Sequence, residues 1–382
     1  MSWNSIIGQT HIKDNFRPAI ANKRLAHAYL FSGPEGTGKS AFALELAMVL
    51  NCDKKKVDAC STCPSCLKFE SLQHPNLHLV FPLPVGKNEK YGDDPLAKLS
   101  DDDIAMIQEE IHRKATNRYH QITVAKANSI KVNSVREIRK ESSMSMFEEG
   151  KRVFIILNAE DLTDEAANAL LKTLEEPHED TLLILTTSQP DRLLPTIISR
   201  CQHVRFGPID EQEIKKTLIS QKDIPEKEAM LIAKLSNGRY GKALALTETV
   251  LKEWYTQAIV FLRKILYGSR QELLAEIDRL VSEYERAELE EFLLMLQSWL
   301  HDAMLVKAAT RMKKDLIEGD TIEKFVLHHP NVNYPSLVES IQLAISVLNK
   351  NVYIPLVLIN LAIELREQIV TSSEEVSSSP QQ

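Results

Sequence analysis

The chain has 382 residues, of which 43% are hydrophobic and 26% charged, with a formal net charge of −7. That length allows two or three domains with cores of their own, and that composition suggests neither a disordered chain nor a membrane protein. No apolar run reaches the length of a bilayer span, and the acidic balance argues against a broad basic face for nucleic acid.

The first sixteen residues lack a basic stretch followed by an apolar one. No signal peptide is expected, and the cytosol is the default compartment. Residues 1 to 207 read as α/β. A first strand is expected at Ala28 to Gly33, followed by a Gly-rich turn and a helix from Ser40 to Asn51. Further strands are expected at His78 to Pro82, Arg152 to Leu157 and Thr181 to Thr187. Val153 to Leu157 is an unbroken apolar run, as in a parallel strand covered on both faces. A helix between the last two strands, closed by Pro177, takes Asp164 as its N-cap and Glu165 in its first turn. Strands alternating with helices imply a parallel sheet.

Residues 86–128 interrupt this pattern. They are polar and mixed in charge, and read as an insertion with one short helix at Asp101 to Ala115. His112 and His120 in it read as surface residues. After Phe206 to Asp210 the pattern turns all-helical. Three short helices are expected over 208–250, as a small lid domain. Over 251–371, Leu273, Ile277, Leu280 and Tyr284 form one apolar stripe, and Leu289, Leu293, Leu296 and Leu300 another, as in a helical bundle. The last helix is expected to end near Val370. The polar tail, 372–382, is expected to be disordered.

Gly33, Pro34, Glu35, Gly36, Thr37, Gly38, Lys39 and Ser40 spell a P-loop between a strand and a helix. Backbone N–H groups of such a loop wrap phosphates, the lysine reaches the β- and γ-phosphates, and the serine ligates Mg²⁺. ATP or ADP with Mg²⁺ is the ligand expected; the competing reading is a Gly-rich turn without ligand. In such ATPases a buried strand also ends in an acid that holds Mg²⁺. Here Arg152 to Leu157 ends in Leu157 and Asn158. Cys52, Cys60, Cys63 and Cys66 fit a closed, structural Zn²⁺ knuckle at about 52–66. The competing readings are free buried thiols, or His74 as a substitute ligand. Cys201 reads as a buried thiol. Arg200 follows the last expected strand and a short helix. It suits either an arginine finger at a subunit edge or a local salt bridge.

Several stretches together carry a resemblance: His27 to Ser40, the cysteine knuckle, His74 to Asn76, Asn168 to Pro177 and Thr196 to Gln202. Over residues 1–85 and 130–250 the chain resembles the bacterial clamp-loader subunits of DNA polymerase III, which are AAA+ ATPases. The resemblance implies a RecA-like AAA+ domain with a zinc knuckle, a three-helix lid and a helical collar that oligomerises. It implies a five-membered ring with motor (gamma/tau) subunits and a delta subunit. That ring opens the sliding clamp and places it on primer-template DNA, with no membrane involved. Within the family the motor carries Asp-Glu where this chain has Leu157-Asn158, and an Arg where it has Gly241. Glu160 and Asp161 are out of phase with the missing pair. The resemblance therefore points to the stator branch, with weak or absent ATP hydrolysis and Arg200 acting in trans on a motor neighbour's ATP. An active motor of the same complex and a zinc-containing interaction adaptor are the alternatives.

Overall fold

The computed structural model describes residues 2–54, 57–90, 92–144, 148–247, 251–308, 319–348, 350 and 352–374. In chain order the first elements are α1 (Thr10–Ala21), β1 (Ala28–Ser32), α2 (Lys39–Leu50), α3 (Pro64–Glu70) and β2 (Leu77–Val80). Then come α4 (Asp101–Thr116), α5 (Val132–Ser143), β3 (Arg152–Ile156), α6 (Asp164–Glu175), β4 (Thr181–Thr187), α7 (Pro195–Ile198) and β5 (Gln202–Arg205). Nine helices of the described residues follow: α8 (Glu211–Lys222), α9 (Glu226–Ser236), α10 (Tyr240–Thr247), α11 (Leu251–Tyr267), α12 (Arg270–Glu283), α13 (Arg286–Lys307), α14 (Gly319–His328), α15 (Tyr334–Leu348) and α16 (Ile354–Glu374).

The strands form one parallel sheet in the order β2-β3-β4-β1-β5. Every residue of β1, β3 and β4 is buried, which is why these three are continuous apolar runs. Alternation sends Leu30, Phe154, Ile156, Leu183 and Leu185 to one face, against Val135 and Ile138 of α5 and Leu170 and Leu174 of α6. Phe31 points to the other face and meets Phe16, Phe42 and Phe206 in an aromatic cluster. Phe42 is wholly buried there, and truncating such a ring costs about 3–5 kcal/mol. β5 lies at one edge and is mostly exposed. The sequence pattern did not show it.

One local reading is corrected. The N-cap of α6 is Thr163, whose Oγ1 accepts from the Ala166 N–H at 3.2 Å, and Asp164 is already helical. The helix expected at Asp101 to Ala115 is present as α4, Asp101–Thr116. It starts in a capping box in which Ser100 Oγ accepts from the Asp103 N–H and the Asp103 carboxylate accepts from the Ser100 N–H.

The chain divides into two compact units. The first holds residues 1–222 and 236–244, and the second residues 223–235 and 245–382. In the second, α13 packs against α11, α14 and α15. Leu289, Leu293, Leu296 and Leu300 are wholly buried, whereas of the other stripe only Ile277 and Leu280 are. Phe261 meets Phe292, and Trp299 meets Phe325, edge to face. The last helix passes Val370 and runs to Glu374. The rest of the tail, like 248–250 at the end of the expected lid, lies outside the described residues. No helix among the described residues is long and apolar enough to cross a membrane.

Candidate functional site

β1 delivers the chain into the phosphate loop, and α2 leaves it. Gly33 has φ +142°, and a Cβ there would lie 2.1 Å from the Phe206 carbonyl oxygen, so only glycine fits. Thr37 Oγ1 donates to the Pro34 carbonyl at 2.8 Å. Lys39 folds back on the loop: its Nζ donates to the carbonyls of Gly33 (2.7 Å) and Pro34 (2.8 Å). Burial pushes the Lys39 ammonium down to about 8, against the pull of Glu160 and Glu35. Gly33 to Gly38 thus form a tight, internally bonded loop between β1 and α2.

The facing wall is the end of β3 and β4, with Leu157, Asn158, Thr186 and Ser188. Leu157 is buried. Asn158 takes the left-handed conformation, φ 52°, and its N–H donates to Thr186 Oγ1 at 3.3 Å. Glu160 is buried nearby, with Oε1 accepting from the N–H (2.9 Å) and the hydroxyl (2.7 Å) of Ser188. Burial opposes its charge, but its own backbone N–H and the Ser188 donors hold its carboxyl below the usual range. Burial, with the charge of Glu160 beside it, pushes Asp161 up.

α4 and the loop after it close this side of the P-loop. Lys114, in the last turn of α4, is almost wholly buried. Its Nζ donates to Ser40 Oγ at 2.7 Å, to the Arg118 carbonyl at 2.7 Å and to the His120 carbonyl at 2.6 Å. Burial, helped by the Arg118 charge, pushes its ammonium down to about 7, while three oxygens hold its protons. Tyr119 is buried against Gly38, where a Cβ would meet its ring at 3.2 Å. Its hydroxyl accepts from the Ile7 N–H at 2.8 Å, and its ring meets Tyr240 edge to face at 4.9 Å. On the other side the Gly241 N–H donates to the Gly36 carbonyl at 3.0 Å. A Cβ on Gly241 would lie 3.0 Å from Gly36 Cα. The space left among these residues is a cavity of about 40 Å³. Ligand sites run to several hundred Å³. With Lys114 on Ser40, the residues present do not fit a nucleotide with its metal.

Lys114 and Tyr119 were not singled out by sequence. Their partners lie far off in the chain: Ser40 is 74 residues from Lys114, and Ile7 is 112 from Tyr119. The signal that was there is the Ser100–Asp103 capping box ahead of Ile104, Ile107 and Ile111, which marks a packed helix. His112 is exposed; His120 is half-buried, with Nε2 2.9 Å from Glu110 Oε2.

The four cysteines converge. Pro64 starts α3, Cys63 Sγ caps it by accepting from the Cys66 N–H, and the Cys60 N–H donates to Cys52 Sγ. All four Sγ atoms lie within 4.8 Å of one another. The Thr62 hydroxyl pulls the Cys60 thiol down to about 5, whereas burial pushes Cys63 and Cys66 up. Four converging thiols are a soft donor set that fits one metal ion. His74 is engaged elsewhere. Its Nδ1 accepts from the Asn76 N–H, its Nε2 lies 3.1 Å from Ser65 Oγ, and its ring stacks on Phe69. Cys201 is buried in the sheet core.

Arg200 stands just beyond α7, with solvent access. Its guanidinium donates to Glu175 Oε1 at 2.7 Å and to the Thr196 carbonyl at 3.0 Å. An exposed bridge of this kind is worth about 0–1 kcal/mol.

A parallel sheet in this order, with a P-loop at the end of β1 and α10 against it, is an AAA+ P-loop domain. The chain belongs to the family described as DNA polymerase III, delta subunit, whose model matches residues 8–210, more than half of its length. It is 36% identical over 219 residues to the DNA polymerase III subunit delta′ of Bacillus subtilis (strain 168), covering 57% of this chain and 53% of that protein. It is 29% identical over 255 residues to subunit tau of the same organism, covering 65% of this chain and 38% of that one. The chain thus matches about half, or less, of these relatives' length. Among solved structures it is similar to a DNA polymerase III gamma-subunit-related protein of Thermotoga maritima (TM-score 0.39, 16% identity, 93% and 99% of the two chains). It is also similar to the RuvB Holliday junction branch migration motor of Thermotoga maritima (TM-score 0.38, 16% identity, 83% and 85%).

Proposed function

We propose that this chain is the stator, delta-prime, of a DNA polymerase III clamp loader. It is then a subunit of the holoenzyme and not itself the polymerase. It assembles with gamma/tau motor subunits and delta, and acts on the sliding clamp and primer-template DNA through that complex. The observation that carries this reading is the wall opposite the P-loop, where β3 runs into Leu157 and Asn158 and offers no carboxylate. Without an acid to hold Mg²⁺ and polarise water, turnover by this chain is weak or absent. The family match and the delta′ relative support the same assignment.

In this reading Arg200 leaves Glu175 when a motor subunit docks, and its guanidinium meets the phosphates of the nucleotide bound there. A planar, permanently charged fork suits that task. The cysteine knuckle holds a structural Zn²⁺. Helices α8 to α10 serve as the lid over 208–250, and the bundle over 251–371 as the collar. The active-motor reading would need Glu160 or Asp161 to swing into the metal's shell, and Glu160 is held in place by its Oε1 bonds to Ser188. The test is ATP turnover by the purified chain, with Lys39→Ala as the blank. Turnover that depends on Lys39 would reassign the chain as a motor.

A further inference from the structure

We infer that the segment Lys114 to Ile122 is a built-in occupant of the nucleotide site, so that this chain holds its P-loop closed without ATP. The inference goes beyond the stator reading, since a chain that merely lacks the strand acid would still bind nucleotide.

Three contacts carry it. The first is at the metal position. In a P-loop the serine after the lysine ligates Mg²⁺. Here Ser40 Oγ already accepts from the Lys114 ammonium at 2.7 Å, and two carbonyls hold the other protons of that ammonium. A divalent cation on the same oxygen would face a positive charge at contact distance, with no carboxylate at Leu157 or Asn158 to offset it. The second is along the way out of the loop. A nucleotide whose phosphates sit over Gly33 to Ser40 must lead its nucleoside out past Gly36 and Gly38. Tyr119 covers Gly38, and Gly241 covers Gly36. The third is the anchoring. Tyr119 is pinned by the Ile7 N–H and by Tyr240. Glu110 fixes the return of the loop, with Oε2 accepting from the Thr123 N–H at 2.8 Å. The lysine of the motif, Lys39, is turned onto its own loop. The segment thus joins the N-terminal residues, the P-loop and α10 through side chains of its own, where an ATPase would use a bound nucleotide.

The experiment is equilibrium binding of a fluorescent ATP analogue, with and without Mg²⁺, to the full chain. The comparison is a Lys114→Met, Tyr119→Ala double variant, with Lys39→Ala placed in both backgrounds. The full chain should show no saturable binding up to about 1 mM, and the double variant should bind at least tenfold more tightly than that limit, through Lys39. Lys39-dependent binding by the full chain, or a folded double variant that still binds nothing, overturns the inference. Hydrogen exchange of the unaltered chain with and without Mg-ATP guards against a variant that fails to fold. Protection of 33–40 and 114–122 should not change; protection gained in the loop overturns the inference. Neither readout depends on ring assembly, so failure of the stator reading would be seen separately.

Discussion

The Nζ of Lys114 lies 2.7 Å from Oγ of Ser40, the hydroxyl that in an active P-loop would serve a metal ion. The two residues are 74 positions apart, and the contact seats the last turn of α4 on the first residues of α2 beside the P-loop. Lys114→Ala should therefore destabilise the first unit. It leaves a void and strips a donor from the part-buried carbonyls of Arg118 and His120. Each orphaned acceptor costs about 1–3 kcal/mol, so a total loss of about 3 kcal/mol is expected. Urea unfolding followed by near-ultraviolet circular dichroism measures it. A loss below about 1 kcal/mol would mean that the acceptors are hydrated or repaired.

The cysteines give a prediction about metal. Four Sγ atoms within 4.8 Å should retain about one Zn²⁺ per chain through purification. Cys66→Ser should release it and lower the thermal midpoint. Cys201→Ser, buried in the sheet core, should leave metal content unchanged. Elemental analysis decides, and fully folded protein without metal would remove zinc from the account.

Arg200→Ala separates a local role from a remote one. Its bridge to Glu175 is exposed, so stability of the isolated chain should change by less than about 1 kcal/mol. In the assembled loader, DNA-stimulated ATP hydrolysis should fall by roughly 10³-fold, the usual loss of an arginine finger. Intact assembly with unchanged hydrolysis would leave Arg200 only its bridge.

Acid should loosen the loop that carries Tyr119. Burial opposes the charge on Glu110, but the Thr123 N–H, His120 and Arg113 hold its carboxyl below the ordinary value. A carboxyl with a depressed folded value contributes stability above the ordinary carboxylate range. That contribution is lost as the pH falls through the folded value. Exchange at the Thr123 amide should accelerate below about pH 4, after correction for intrinsic rates. In Glu110→Gln that acceleration should be absent.

These outcomes follow from parts of the molecule that differ in how visible they are in the sequence. β1, β3 and β4 are covered on both faces, so they show as apolar runs. β5 is an exposed edge of four residues, Gln202–Arg205, and polar residues suit it. The P-loop and the cysteine knuckle are legible because their chemistry fixes the spacing of near neighbours. The Lys114–Ser40 and Tyr119–Ile7 contacts are set by how the insertion packs, and local spacing carries no trace of them. The same holds for Thr163 over Asp164 as the cap of α6. Both residues can cap, and only the backbone angles of Thr163, φ −65° and ψ 159°, decide between them.

On the stator reading, restoring the acids and the arginine of a motor should not by itself restore hydrolysis. Gly241 stands where the motor pattern has an arginine, and a Cβ there would crowd Gly36 Cα at 3.0 Å. Gly241→Arg needs Gly36 or α10 to give by a few tenths of an ångström beside the Gly241 N–H to Gly36 carbonyl bond. It should cost about 1–3 kcal/mol, as overpacking does. Adding Leu157→Asp and Asn158→Glu supplies the strand acids, yet Lys114 still occupies Ser40. The triple variant should not hydrolyse ATP until Lys114 and Tyr119 are also replaced. Hydrolysis by the triple variant alone would show that the acids and the arginine were all that was missing, and that the inserted segment yields to nucleotide.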